Sequence, residues 1–289
     1  MAETWTPLKL VAWTQEFFAR KGVDAPRLTA ELLLGHALSC ERIRLYLDFD
    51  KPIGEPELAA FRELVRRRAG GEPTAYLLGR REFYGHPFLV DARVLVPRPE
   101  TELLVEAALA VLPEAGAALD LCTGSGAIAV SLALGRPGAR ILATDVSPDA
   151  LAVARENAAR LGAARVTFAE GDLWAAVSAD AGPFDVIASN PPYVPTPELA
   201  GLSREVQREP RLALDGGQDG LDLVRRIVAG APGRLAPGGT LLVELHESHA
   251  GELPRLCLAA GFAEAEVRRD LAGLPRLGVA HMAGARDPS

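Results

Sequence analysis

The chain has 289 residues, of which 48% are hydrophobic and 24% charged, and its formal net charge is −7. This length and composition suit one large or two smaller soluble domains and argue against a disordered or fibrous chain. Residues 1–85 are near balance, with 13 basic and 12 acidic residues, while the remainder carries 18 and 26; a non-specific nucleic-acid binder shows the opposite sign.

Residues 1–75 read as helical throughout. Leu8, Val11, Ala12, Phe17 and Phe18 form one apolar stripe and Leu28 to Leu38 a stronger one. A third helix is expected from Glu57 to Gly70, stopped by Gly70-Gly71 and Pro73. Arg66-Arg67-Arg68 near its end meets the helix dipole favourably and reads as a solvated face. Residues 76–98 are expected to form a β-hairpin linker, with one or two hairpins around Gly85-His86-Pro87 and Asp91-Ala92-Arg93, followed by a helix from Glu100 to Leu112.

Residues 99–289 then alternate between strands and helices. Strands are expected at Ala118–Cys122, Arg140–Val146, Val166–Gly171, Phe184–Ser189 and Thr240–Leu245, with two more at Glu264–Arg269 and Arg276–Met282. Helices are expected near Ala127–Leu134, Asp149–Leu161, Leu221–Arg234 and Ala250–Ala260. Repeated βα units predict an α/β, doubly wound fold with a parallel sheet covered on both faces. The tail Gly284–Ser289 is expected to fray.

Cys40, Cys122 and Cys257 are far apart and in no metal-ligand spacing, and the five histidines are dispersed, so a reducing, cytoplasmic setting without a metal is expected. Met1 to Trp5 lacks the basic start of a signal peptide, and no stretch reaches the ~20 apolar residues needed to cross a bilayer.

Two motifs carry the chemistry. Asp120-Leu121-Cys122-Thr123-Gly124-Ser125-Gly126 joins a strand to a helix; its glycines allow close backbone approach, and the helix start offers free N–H groups. Asp145 ends the next strand, where a carboxylate can accept from ribose hydroxyls. Asp172, before Leu173, ends the third strand, where it could meet an adenine amino group or simply cap a helix. Together these predict a nucleoside-containing cofactor. Asp120 before the glycines and the Cys122-x-Gly124-x-Gly126 spacing favour S-adenosylmethionine over a dinucleotide. The second motif, Asn190-Pro191-Pro192-Tyr193, ends an apolar strand. Its prolines stiffen the turn and remove competing N–H groups, so the Asn190 side-chain oxygen and the Pro191 carbonyl can both accept from one planar –NH2 group.

In this order the motifs resemble class I S-adenosylmethionine-dependent methyltransferases acting on planar nitrogen. Val96-Pro97-Arg98-Pro99-Glu100-Thr101-Glu102, Leu214 to Leu221 and Arg269-Asp270-Leu271-Ala272-Gly273 narrow the resemblance to the release factor glutamine methyltransferases, over essentially the full length. The resemblance implies a seven-stranded methyltransferase domain, a helical N-terminal domain that recognises substrate, and methylation of N5 of the glutamine in the Gly-Gly-Gln loop of class 1 release factors. It implies that Asn190 and Pro191 orient the glutamine amide, Tyr193 packs on it, Thr123–Gly126 and Asp145 hold the cofactor, and Asp172-Leu173 lie near the adenine.

Cys122 replaces the family's first motif glycine, and Glu244-Leu245-His246 departs from its usual strand end. The chain's own Gly216-Gly217-Gln218 reads as coincidence rather than a substrate mimic. A nucleic-acid N6-adenine methyltransferase and a ribosomal-protein glutamine methyltransferase are the alternatives; the acidic catalytic part disfavours the first and the R-P-E-T-E segment the second.

Overall fold

Proline in the first turn opens several helices, because its missing N–H is one that a helix start leaves unpaired anyway. The computed structural model describes residues 4–284, so the tail expected to fray lies outside the described residues except for Gly284. Two compact units emerge, one comprising the described part of Met1–Arg80 with Ser203–Arg208, the other Arg81–Leu202 with the described part of Glu209–Ser289.

The first unit is helical: α1 (Pro7–Arg20), α2 (Pro26–Ala37), α3 (Arg42–Leu47), α4 (Glu55–Ala69) and α5 (Thr74–Leu78). Leu10, Phe18, Leu33, Leu34, Leu58 and Phe61 fill its core. The helices α3 and α5 are too short to show a period in the sequence. Of the arginine triplet, Arg66 pairs with Glu63 at 2.6 Å on the surface, as a solvated face should. Arg68 differs: it is buried and pairs with Glu205, because the chain returns to this unit at residues 203–208.

The second unit follows a hairpin of β1 (Arg80–Phe83) and β2 (His86–Leu89), a 3-10 turn (Pro99–Thr101) and α6 (Glu102–Val111). Its sheet comprises β3 (Ala117–Leu121), β4 (Arg140–Asp145), β5 (Thr167–Glu170), β6 (Phe184–Ser189), β7 (Leu235–Glu244), β8 (Glu264–Arg269) and β9 (Pro275–His281) in the order β5-β4-β3-β6-β7-β9-β8. The first five strands are parallel, as expected, but β9 runs antiparallel to both β7 and β8. A parallel return needs a crossover of a dozen or more residues, and only the short turn between Arg269 and Pro275 joins β8 to β9.

Successive residues on a strand point to opposite faces. Accordingly Ala118, Val186 and Leu242 enter one core layer, Leu119, Ile187 and Leu241 the other. The helices α7 (Ala127–Gly135), α8 (Pro148–Leu161), α9 (Asp222–Gly230) and α10 (Glu252–Ala259) complete the unit. The strand order reverses at β3, between β4 and β6, and such a switch point opens a crevice at the carboxyl ends of the strands.

Candidate active site

The loop leaving β3 coils tightly. Cys122, Gly124 and Gly126 all take left-handed backbone angles, with φ of 59°, 55° and 80°. Asp120 sits behind this loop, fully buried. Its Oδ2 accepts from Thr123 Oγ1 at 2.6 Å and from the Ala129 N–H at 3.1 Å, tying the loop to the first turns of α7. Burial pushes its carboxyl up to about 7, against the pull of those two donors. Gly126 packs on α8: a Cβ there would sit 3.1 Å from that of Ala154.

At the end of β4 both carboxylate oxygens of Asp145 are engaged at 2.9 Å, Oδ2 with the Gly124 N–H and Oδ1 with the Ser147 N–H. Each retains lone-pair capacity toward a ligand. Burial raises this carboxyl, with the backbone donors opposing. Beyond β5, Leu173 is buried in a left-handed conformation with φ of 50°, and Asp172 forms a 2.8 Å ion pair with Arg226 across two half-exposed side chains.

Beyond β6 the Asn190-Pro191-Pro192-Tyr193 turn is braced by the segment Leu214–Gly220. The Val194 N–H donates to the Leu214 carbonyl and the Gly216 N–H to the Val194 carbonyl, both at 2.9 Å. A Cβ at Gly216 would lie 2.8 Å from the Pro192 carbonyl oxygen and from Tyr193 Cα, so only glycine allows this approach. Gly216 of the Gly216-Gly217-Gln218 run therefore has a structural reason of its own. Behind the turn, Asn190 Nδ2 lies 3.2 Å from Thr101 Oγ1, Thr101 Oγ1 lies 2.6 Å from Glu244 Oε2, and the Tyr193 hydroxyl lies 3.4 Å from Glu244 Oε1. Burial pushes the Glu244 carboxyl up to about 7 and raises the Tyr193 phenol, the carboxylate of Glu244 adding to the effect.

These loops surround one cavity of about 990 Å³, a volume that includes space open to solvent. Cys122, Thr123, Gly124, Ser125, Asp145, Asp172, Leu173, Asn190 and Pro192 line it. Asp120, Gly126, Pro191 and Tyr193 are not among its lining residues; the first two shape the loop, and Tyr193 is directed to Glu244 and the His246 ring, 6.4 Å away. The Gly124 backbone borders open space, with nothing within 4 Å of where a Cβ would be. A long pocket with a glycine-lined floor at the β3 end and an acid at the β4 end fits a nucleoside-containing cofactor.

Comparison with known proteins decides the family. Residues 9–79 match the PrmC N-terminal domain and residues 99–201 the methyltransferase small domain. A release factor glutamine methyltransferase from Chlorobaculum tepidum is 47% identical over 285 residues, covering 95% of this chain and 96% of the relative. The corresponding protein of Geobacter sulfurreducens is 47% identical over 276 residues, with the same coverage. The chain belongs to the release factor glutamine methyltransferase family. A methyltransferase from Pyrococcus furiosus shares the fold, with a TM-score of 0.53 at 21% identity over 70% of this chain and 91% of that one. Family membership and the class I methyltransferase fold thus agree with the resemblance drawn from the motifs.

Several residues of this family member's site escape motif reading. Arg93, Val94 and Leu95 line the cavity, as do Pro210, Leu212 and Ala213. Buried Glu209 joins these segments, accepting from the Val96 N–H at 3.1 Å and from Arg98 at 2.6 Å. Glu244 carried a usable signal, an acid closing an otherwise apolar strand, since buried carboxylates need a reason. No helix among the described residues is long and apolar enough to cross a membrane.

Proposed function

We propose that this protein transfers a methyl group from S-adenosylmethionine to N5 of the glutamine in the Gly-Gly-Gln motif of class 1 release factors, acting in the cytoplasm. The observation that carries this reading is a carboxamide, Asn190, on the wall of the same cavity as the glycine loop and Asp145, in a chain 47% identical to named release factor glutamine methyltransferases along nearly its whole length.

Thr123, Gly124, Ser125 and Asp145 would hold the cofactor, with Cys122, Asp172 and Leu173 bordering it; Asp120 and Gly126 act by shaping the loop. When bound, S-adenosylmethionine supplies a methyl group activated by a sulfonium. The chain's own residues supply position. An amide nitrogen is a weak nucleophile because its lone pair is delocalised, so catalysis depends on holding it in line and at near-attack distance. The Asn190 side-chain oxygen and the Pro191 carbonyl are the proposed hydrogen-bond acceptors for the substrate –NH2. As acceptors they also offset the positive charge that grows on nitrogen as the new bond forms. Pro192 stiffens the turn, Tyr193 braces it from behind through Glu244 rather than packing on the amide, and the proton leaves to water.

The helical unit is assigned to substrate recognition; exposed Ile43, Leu47 and Phe49 on it provide apolar surface for a protein partner. A nucleic-acid substrate is disfavoured by the acid excess in the remainder of the chain. The deciding experiment is mass spectrometry of the Gly-Gly-Gln peptide from a release factor incubated with enzyme and cofactor, beside DNA and ribosomal RNA. A gain of one methyl on that glutamine is expected; methylation of nucleic acid alone would overturn the reading.

A further inference from the structure

Either end of the Asn190 carboxamide could face the cavity, and only the oxygen end suits a donor nitrogen. Thr101 ends the 3-10 turn that runs into α6, its backbone already helical at φ −67° and ψ −18°. Here its side chain makes no capping bond. Instead its oxygen lies 2.6 Å from Glu244 and 3.2 Å from Asn190 Nδ2, and Thr101 and Glu244 are 4% and 2% exposed. A hydroxyl has one hydrogen and an ionised carboxylate has none. With Glu244 ionised, above its raised value of about 7, the Thr101 hydrogen is committed to Glu244, only lone pairs remain for Asn190, and only an –NH2 can meet them. Among the described residues no hydrogen bond reaches Asn190 Oδ1, and Asn190 lines the cavity.

We propose that Thr101 and Glu244 are positioning residues that fix the Asn190 carboxamide with its oxygen toward the cavity, making the site selective for a methyl-accepting group that brings N–H donors over one that presents a carboxylate or carbonyl. The relay gives a physical reason why an acid should be buried at the end of β7. The proposal deepens the functional reading above and rests on it for its kinetic assay, but it also has a readout independent of turnover.

The test compares Thr101→Val, which removes the hydroxyl at nearly constant shape, with Thr101→Ser, which keeps it, in the full-length enzyme at a pH above about 7, where Glu244 is ionised. With S-adenosylmethionine and a release factor, Thr101→Val is expected to lower kcat about tenfold or more, with KM for the release factor and Kd for S-adenosylmethionine within about twofold. Thr101→Ser should restore most of the rate. In parallel, the Asn190 side-chain –NH2 pair is identified in ¹H–¹⁵N spectra by its loss in Asn190→Ala, and its hydrogen exchange is measured. Thr101→Val should accelerate that exchange about tenfold, and Thr101→Ser should not. A purely structural tie would lower thermal stability while leaving exchange at Asn190 and the kcat of the folded enzyme unchanged, and that result overturns the proposal. If the wild-type enzyme methylates no release factor yet exchange at Asn190 still responds to Thr101→Val, the substrate assignment falls and the relay stands.

Discussion

Asn157 and Leu89 exchange two hydrogen bonds: Asn157 Oδ1 accepts from the Leu89 N–H at 2.7 Å, and its Nδ2 donates to the Leu89 carbonyl at 3.0 Å. The same Nδ2 also reaches the Ser125 carbonyl at 2.9 Å, so one fully buried side chain on α8 clips the hairpin strand β2 to the cofactor loop. Replacement by leucine leaves one backbone donor and two carbonyls without partners. Asn157→Leu is therefore expected to cost about 2–4 kcal/mol, seen as a matching fall in the unfolding free energy from urea titration. A change within error would mean that water replaces these bonds easily.

Asp145 is expected to contribute directly to cofactor affinity. Asp145→Ala removes the carboxylate at the end of β4 and releases the Gly124 and Ser147 N–H groups it holds. S-adenosylmethionine should bind at least about tenfold more weakly, roughly 1.4 kcal/mol. Isothermal titration calorimetry returning the wild-type Kd would remove the ribose assignment.

Asn190→Ala separates binding from turnover. The substitution takes away one of the two proposed acceptors for the substrate amide while leaving Asp145 and the glycine loop intact. A loss of about a hundredfold in kcat is expected, equivalent to ~3 kcal/mol of transition-state stabilisation. Cofactor affinity should be nearly unchanged. Full turnover in single-turnover kinetics would show that the clamp lies elsewhere.

Cys122 makes a prediction of the opposite sign. It holds a φ of 59°, a region that costs a residue with a Cβ about 1–2 kcal/mol relative to glycine. Cys122→Gly should raise the thermal midpoint by a few degrees. A lowered midpoint would show that thiol packing outweighs the relief of backbone strain.

Glu244 should leave a signature in the pH dependence of stability. Its carboxyl is raised by burial from 4.5 to about 7 in the folded protein. Between those values the native state binds more protons than the unfolded chain, so stability declines as pH rises across that window. The contribution is complete below 4.5 and lost above about 7. Glu244→Gln should flatten this part of the profile, measured as thermal midpoint against pH beside wild type. An unchanged slope would assign the decline to other groups, Asp120 first among them, since it titrates in an overlapping range.

How much was legible in advance depends on range along the chain. The strands β3 to β6 announce themselves by apolar runs, and the loops after them by glycine, aspartate and the Asn190 turn, all within a few residues of a strand end. The same local reading placed Thr101 in a motif without giving it a role and passed over Asn157, because the contact of Thr101 with Glu244 spans 143 residues and that of Asn157 with Leu89 spans 68. No periodicity records such a pairing; it exists only once β6 and β7 lie side by side, or β2 beside α8. The reversed direction of β9 was hidden for a related reason. A β8–β9 turn and a β–α–β crossover differ in length, which the sequence displays, but the insertion of β9 between β7 and β8 is a property of the finished sheet.

That insertion carries a consequence for biosynthesis. Among the described residues β9 is the last strand made, yet it fills the gap between two strands translated earlier. Until Pro275–His281 has emerged, β7 offers a bare row of backbone donors and acceptors along the flank that leads to Glu244, and such a flank recruits foreign strands. A nascent or prematurely truncated copy would therefore be prone to aggregate at the margin that later supports its chemistry.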